Sequence, residues 1–150
     1  FAATYGQKIV AAVLMAEAWS EGEKGMAAVA EVIRNRAGAA QRSPLAVVTA
    51  PGQFSCLNQT SSEALYRKYS HLPEFATALK LAALIYNEPE RLPGHTHGAN
   101  HYTRTAERPY WTRGEKPVAV IGAHSFYRLE SSKWSYKTRA SVPRAGISTR

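Results

Sequence analysis

The sequence predicts an α+β fold, a mainly helical body followed by a small antiparallel β hairpin or sheet near the C-terminus. Three observations carry this expectation. Apolar residues recur at helical spacing through most of the first 87 residues. After Glu88-Pro89 the chain changes character, and Pro93 to Asn100 (PGHTHGAN) is loop material rich in Gly and His. Two short runs, Val118 to Ile121 and His124 to Leu129, then flank Gly122-Ala123 as the strands of a hairpin would.

The first helix is expected from about Tyr5 to Ser20. It carries eight apolar residues in succession, Ile9 to Ala16 (IVAAVLMA), and is apolar nearly all round, which predicts a central, buried helix. Gly22 signals its stop. A second helix fits Glu23 to Ala37: Met26, Val29, Ala30 and Ile33 recur at helical spacing, Glu21 and Glu23 favour its N-terminal end, and Gly38 suits its stop. Ser43-Pro44 starts a short helical segment that ends before Pro51-Gly52. Pro51 to Asn58 (PGQFSCLN) reads as a loop. Ser61 or Ser62 caps a helix to about His71, and Pro73 opens another from Glu74 to Asn87 that carries Phe75, Ala78, Leu79, Ala82 and Ile85. His101-Tyr102-Thr103 reads as a short strand, followed by an interrupted loop (RPYWTRGEKP) and the hairpin. No internal repeat and no domain-sized linker divides the chain. One domain is expected over 1–129, with a basic, loosely held extension over 130–150, where Lys133, Lys137, Arg139, Arg144 and Arg150 face only Glu130.

Composition narrows the function. A chain of 150 residues with 45% hydrophobic content suits one compact domain with its own core. The longest uncharged apolar run falls far short of the ~20 residues needed to span a bilayer, so no transmembrane segment is expected. The single cysteine, Cys56, excludes an internal disulfide framework. The net charge of +8 favours anionic partners, whether nucleic acid, acidic lipid surfaces or bacterial wall polymers. All 11 acidic residues are Glu, which excludes every mechanism that needs an Asp as nucleophile, triad member or metal ligand.

Glu17 is the most informative residue. It continues the helical stripe of Val10, Val13 and Leu14. A carboxyl group on a buried stripe is costly unless paired, protonated or used. Desolvation and the negative end of a helix dipole both favour its neutral form, the form a general acid needs. A structural Glu bonded to a backbone group or an arginine explains the same spacing, and the two readings stand side by side. Around it, Trp19, Tyr102, Tyr110, Trp111, Phe126 and Tyr127 are many aromatics for loops and short strands. Rings beside a buried acid are typical of sugar clefts, whereas core or hairpin packing is the bland alternative. Of these, Trp111, between Pro109 and Pro117, is expected to face the cleft.

Three other groups have residue types that can carry chemistry. His95, His97, His101 and His124 form a possible zinc set, but two of them lie in a Gly-rich loop and neither HExxH nor CxxC is present, so no metal is assigned. Cys56 reads as a small buried hydrophobe rather than a nucleophile. Glu31 and Arg34, at i and i+3, read as a helix-face ion pair.

Four stretches together resemble one family, the SleB-type cell wall hydrolases: Ala16 to Arg36 (AEAWSEGEKGMAAVAEVIRNR), Pro51 to Cys56 (PGQFSC), His101-Tyr102 with Trp111, and Ile121 to Arg128 (IGAHSFYR). They reach in order from about Val10 to Arg128. The resemblance implies a lysozyme-like body and a peptidoglycan-cleaving enzyme of the bacterial envelope (periplasm, wall or spore cortex) or secreted. It implies that Glu17 is the catalytic acid, and it makes Glu21 the next candidate for a site role. Trp19-Ser20 stand where the family commonly has Arg-Gly. The implied reaction cleaves the glycan strand between N-acetylmuramic acid and N-acetylglucosamine, as a lytic transglycosylase with Glu17 as single acid and base. Tyr102, Thr103 and Tyr127 are then candidates to hydrogen-bond the sugar or hold Glu17, and Phe54 and Trp111 to stack on it. No cofactor and no nucleic acid are expected, and the basic surface would favour contact with anionic wall polymers. The alternatives are a zinc-dependent N-acetylmuramoyl-L-alanine amidase built on the histidines, or a non-catalytic module that binds wall or nucleic acid.

Overall fold

Helix α1 (Tyr5–Ala18) is the axis around which the rest packs. Thr4 starts it with a reciprocal cap: its hydroxyl accepts from Gln7 N at 3.1 Å, and its own N–H donates to Gln7 Oε1 at 3.0 Å. Ile9 through Met15 are all buried, as a helix without a polar face demands. The burial is supplied by α2 (Gly22–Ala40), α3 (Pro44–Thr49), α4 (Ser62–Tyr69) and α5 (Phe75–Asn87), each of which packs on α1. Each large apolar side chain so enclosed contributes about 1.5–3 kcal/mol. The structure, a computed structural model, describes residues 2–130. The expected basic extension therefore lies, from residue 131 on, outside the described residues.

Most helix ends follow local chemistry. Ser43 and Ser61 cap α3 and α4, accepting from Ala46 N and Ala64 N at 3.1 and 3.0 Å. Two ends differ from expectation. α1 stops at Ala18, and one 3₁₀ turn (Trp19–Glu21) and Gly22, with φ of 79°, redirect the chain into α2. Helix α2 runs through Gly38 to Ala40, because Gln41 adopts the left-handed conformation (φ 55°) and its N–H reaches the carbonyls of Ala37 and Gly38. The loop from Pro51 to Asn58 contains a single 3₁₀ turn, Ser55–Leu57.

Three short strands follow: β1 (His101–Arg104), β2 (Ala119–Ile121) and β3 (His124–Tyr127), in the antiparallel order β1-β3-β2. The hairpin is β2-β3, and β1 extends it to a sheet. Tyr102 pairs with Phe126, His101 with Tyr127 and Arg104 with His124. Strand alternation then sorts the side chains. Tyr102, His124 and Phe126 share one face, where the Tyr102 ring stacks on Phe126 at 5.4 Å and meets His124 edge-on at 5.2 Å. His101, Thr103, Ser125 and Tyr127 occupy the other. There Trp111 packs edge-on against Tyr127 at 5.3 Å, and with Leu129 these two form a satellite core.

Helix α2 positions this sheet by gripping the loop before it. Glu31 is fully buried, and its carboxylate accepts from His95 N (3.1 Å), Thr96 N (2.9 Å) and Thr96 Oγ1 (2.7 Å). Asn35 Nδ2 donates to Ala99 O at 2.8 Å, and Arg36 Nε to Asn100 O at 2.8 Å. Asn100 in turn bonds both backbone groups of Leu129 through its side chain. The expected Glu31–Arg34 ion pair is therefore corrected. Arg34 turns to neutral acceptors, Asn35 Oδ1 and Pro89 O, because Glu31 faces inward to satisfy loop amides that no other group reaches.

Candidate active site

Glu17 lies in the last turn of α1, one residue before its end. Its side chain points at the sheet, where the Tyr102 hydroxyl donates to Oε1 at 2.6 Å across 85 positions of sequence. Tyr102 is itself fully buried and locked by Phe126 and His124, so this donor is preorganised. Glu17 is not sealed: 9% of its surface remains exposed, against none for the neighbouring Leu14 and Met15. Trp19, the second residue beyond it, is 39% exposed.

Cys56, from the central loop, is the third group at this point. Burial pushes its thiol well above the ordinary cysteine range, and the negative charge of Glu17 and a hydrogen bond to that carboxylate act in the same direction. A thiol so placed is a donor that holds Glu17, not a nucleophile. Because Cys56 is the sole cysteine, alkylation reads this contact directly. At pH 8 the native thiol is expected to react with iodoacetamide far more slowly than in denaturant. Glu17→Gln, which removes the adjacent charge while the fold stays intact, is expected to speed the native reaction severalfold. Equal rates for the two native proteins would place Glu17 away from the thiol.

Glu21 has a different job. Its Oε2 accepts from Ala123 N at 3.2 Å and its Oε1 lies 3.1 Å from His124 Nδ1, so it latches the β2-β3 turn to the start of α2. The slot it fills exists only because two residues have no side chain. A Cβ on Gly122 would fall 2.7 Å from Glu21 Oε1, and one on Gly25 would fall 2.6 Å from Glu21 Cβ. Gly122 also holds a left-handed φ of 59°. Gly122→Ala is thus expected to cost about 1–3 kcal/mol in urea denaturation, from backbone strain plus a displaced carboxylate. A neutral substitution would show that the latch carries no stability.

The model of the cell wall hydrolase family matches residues 20–127. The chain belongs to the cell wall hydrolases. The match opens three residues after Glu17 and takes in Glu21, the central loop, Tyr102 and the hairpin. No match is found among curated proteins or among solved structures. As a cell wall hydrolase the protein is an enzyme of peptidoglycan, working in the cell envelope or outside the cell. No helix among the described residues is long and apolar enough to cross a membrane.

The remaining candidate residues of this hydrolase are distributed differently from the sequence expectation. Phe54 (1% exposed) belongs to the main core and Trp111 (2%) to the satellite core, so neither ring offers a face to a sugar. The stacking role expected of both is corrected to packing. Tyr102 donates its hydroxyl to Glu17. Thr103 and Tyr127 lie on the opposite face of the sheet by strand alternation, Thr103 reaching Glu107 Oε1 at 3.4 Å and Tyr127 packing on Trp111. Neither therefore touches Glu17 from its place in the strand. Cys56, read from the sequence as a small buried hydrophobe, lies instead beside Glu17.

The four histidines do not assemble. His101 and His124 sit on opposite faces of the sheet and at opposite ends of the β1-β3 pairing. His95 is held through its backbone by Glu31, and His97 is exposed, with a φ of 53°. Among the described residues no group of three or more potential ligands is arranged to hold a metal ion. Among the described residues the histidines of the amidase alternative are therefore not brought together. Burial, and behind it the charge of Arg36, holds His101 far below the ordinary imidazole range, with Nδ1 on Asn100 Oδ1 at 2.9 Å. The unfolded chain takes up a proton as pH drops below ~6.5 and the native imidazole does not, so this group removes up to about 1.4 kcal/mol of stability per pH unit below that point. In the native protein its ring resonances are expected to show no titration between pH 7.5 and 5. A midpoint inside that window would contradict its burial.

Proposed function

We propose that this hydrolase cuts the glycan strand between N-acetylmuramic acid and N-acetylglucosamine as a lytic transglycosylase, with Glu17 as its single acid and base. The protonated carboxyl gives its hydrogen to the glycosidic oxygen as the bond from the muramyl C1 breaks. The muramyl N-acetyl group shields the developing cation. Glu17, now a carboxylate, takes the proton of the same sugar's 6-hydroxyl as O6 closes on C1. The products are a free 4-hydroxyl on the leaving N-acetylglucosamine and a 1,6-anhydromuramyl end, and Glu17 regains its starting state without a water molecule.

One observation carries this reading: the difference between the two nearby carboxylates. Most glycosidases that use water have a second carboxylate as base or nucleophile. Glu21, the second carboxylate of the opening motif, has both oxygens engaged by the hairpin, whereas Glu17 keeps some exposed surface and is positioned by the Tyr102 hydroxyl at 2.6 Å, with Cys56 beside it. Trp19 is the aromatic next to Glu17 with free surface, and we assign it the stacking role that Phe54 and Trp111 are too buried to fill. Mass spectrometry of the soluble products from purified peptidoglycan tests the reading. Anhydro-muropeptides are the expected result. Reducing muramic ends would mean ordinary hydrolysis, and free stem peptides an amidase.

A further inference from the structure

We infer that the groove between the C-terminal half of α2 and the far end of β3 binds a carboxylate-bearing peptide arm of the wall polymer. The groove encloses about 580 Å³ and is lined by Arg34, Asn35, Gly38, Gly98, Asn100 and Arg128, among others, with no acidic residue on its walls. Neither of its two cations forms an ion pair among the described residues. Arg34 spends its hydrogen bonds on the neutral oxygens of Asn35 and Pro89. Arg128 is exposed and has no hydrogen bond or ion pair among the described residues; its side chain lies over Gly98, whose missing Cβ would stand 3.8 Å from Arg128 Cδ. The nearest acid on α2, Glu31, is buried and committed to loop amides. The sequence after Glu130 contains no acidic side chain.

Two guanidinium groups on one open groove repel each other, and an anion between them relieves that cost. Their planar forks fit carboxylate bidentately. The volume argues for a peptide rather than a lone ion, since it falls within the range of ligand pockets, roughly 300–1,000 Å³. Location fits a branch of the substrate. Glu21 meets His124 at one end of β3, and Arg128 lies four residues on, about 13 Å at ~3.3 Å per residue. Along α2, Arg34 stands about 20 Å beyond Glu21 at ~1.5 Å per residue. The groove is thus on the same helix–sheet seam as Glu17 but away from it, and a glycan strand carries peptide arms at intervals. This inference rests on peptidoglycan being the substrate and not on which bond Glu17 breaks.

The test is co-sedimentation of the protein, carrying Glu17→Gln so that nothing is cleaved, with insoluble peptidoglycan. Three forms of wall are compared: intact, stripped of phosphate polymers, and stripped of peptides. Arg128→Gln and Gly38→Glu are compared with Arg67→Gln, which removes an exposed charge on α4. Gly38→Glu adds a carboxylate to the groove at a helical position where an added Cβ meets nothing within 4 Å. Both groove variants are expected to weaken binding to the first two forms roughly tenfold, one charge-assisted contact each, and to bind peptide-free glycan like the parent. Arg67→Gln is expected to change binding less than twofold. No loss in the groove variants, an equal loss with Arg67→Gln, or an equal loss on peptide-free glycan would each overturn the inference. A loss that disappears once phosphate polymers are removed would assign the groove to phosphate instead and equally overturn it. Muropeptides released into the same supernatants are measured alongside: release by the Glu17→Gln protein would count against the Glu17 chemistry, and unchanged binding by the groove variants on wall that stays intact would count against the groove, so the two failures remain distinguishable.

Discussion

Glu17→Gln is expected to lower kcat on peptidoglycan by a factor of about 10²–10⁴, the usual contribution of a positioned general acid, with KM little changed. The amide keeps the shape of the side chain and still accepts from Tyr102, so the fold and the sugar groove survive. What disappears is the transferable proton. The separation of kcat from KM matters, because a merely structural Glu17 would affect both through a disturbed site, or would show its loss in thermal stability. The measurement is product release followed by mass spectrometry, alongside a thermal melt of the same preparation. Near-normal turnover by a folded Glu17→Gln protein would remove the assignment of this residue as the acid.

The largest expected loss of stability belongs to a residue remote from the chemistry. Glu31→Ala should cost about 3–5 kcal/mol, roughly 10–15 °C in Tm, because it leaves the buried N–H and hydroxyl of Thr96 and the part-buried N–H of His95 without an acceptor. Glu31→Gln retains one strong acceptor oxygen and should cost about half as much. The effect reaches the site through the chain: the loop that Glu31 grips leads directly into β1, and β1 carries Tyr102. Activity at a temperature where the variant is still folded should therefore fall as well. If Glu31→Ala melts within about 2 °C of the parent, the grip on the loop is weaker than its three bonds imply.

The helical body was legible in the sequence because its cause is local. An uninterrupted apolar run needs burial on all sides, and Ile9 to Ala16 predicted a central helix before any partner was known. Ser43, Ser61 and the Gly122 turn are likewise decided by groups within a few residues. Loops obey no period, so nothing local distinguishes an aromatic that faces a cleft from one that faces a core. Trp111 was expected in the cleft and lies in a satellite core with Tyr127 and Leu129. Phe54 followed the same pattern. Glu31 departs from its expected surface pairing for a related reason. Its spacing to Arg34 is that of a surface pair, and only the presence of the loop at residues 95–96 turns that position inward.

The sequence by itself determined the α+β order, the buried first helix and the placement of a carboxyl group at that helix's end, all consequences of short-range periodicity and helix termination. Tertiary structure alone decided what that carboxyl group meets. A hydroxyl from 85 residues away and a thiol from the central loop hold Glu17, while the neighbouring Glu21 is taken up by a glycine-lined slot in the hairpin. The physical reason is that periodicity reports which side of an element turns inward. Hydrogen bonding and electrostatics depend on which distant group is brought there, and that is set by how strands pair and helices pack.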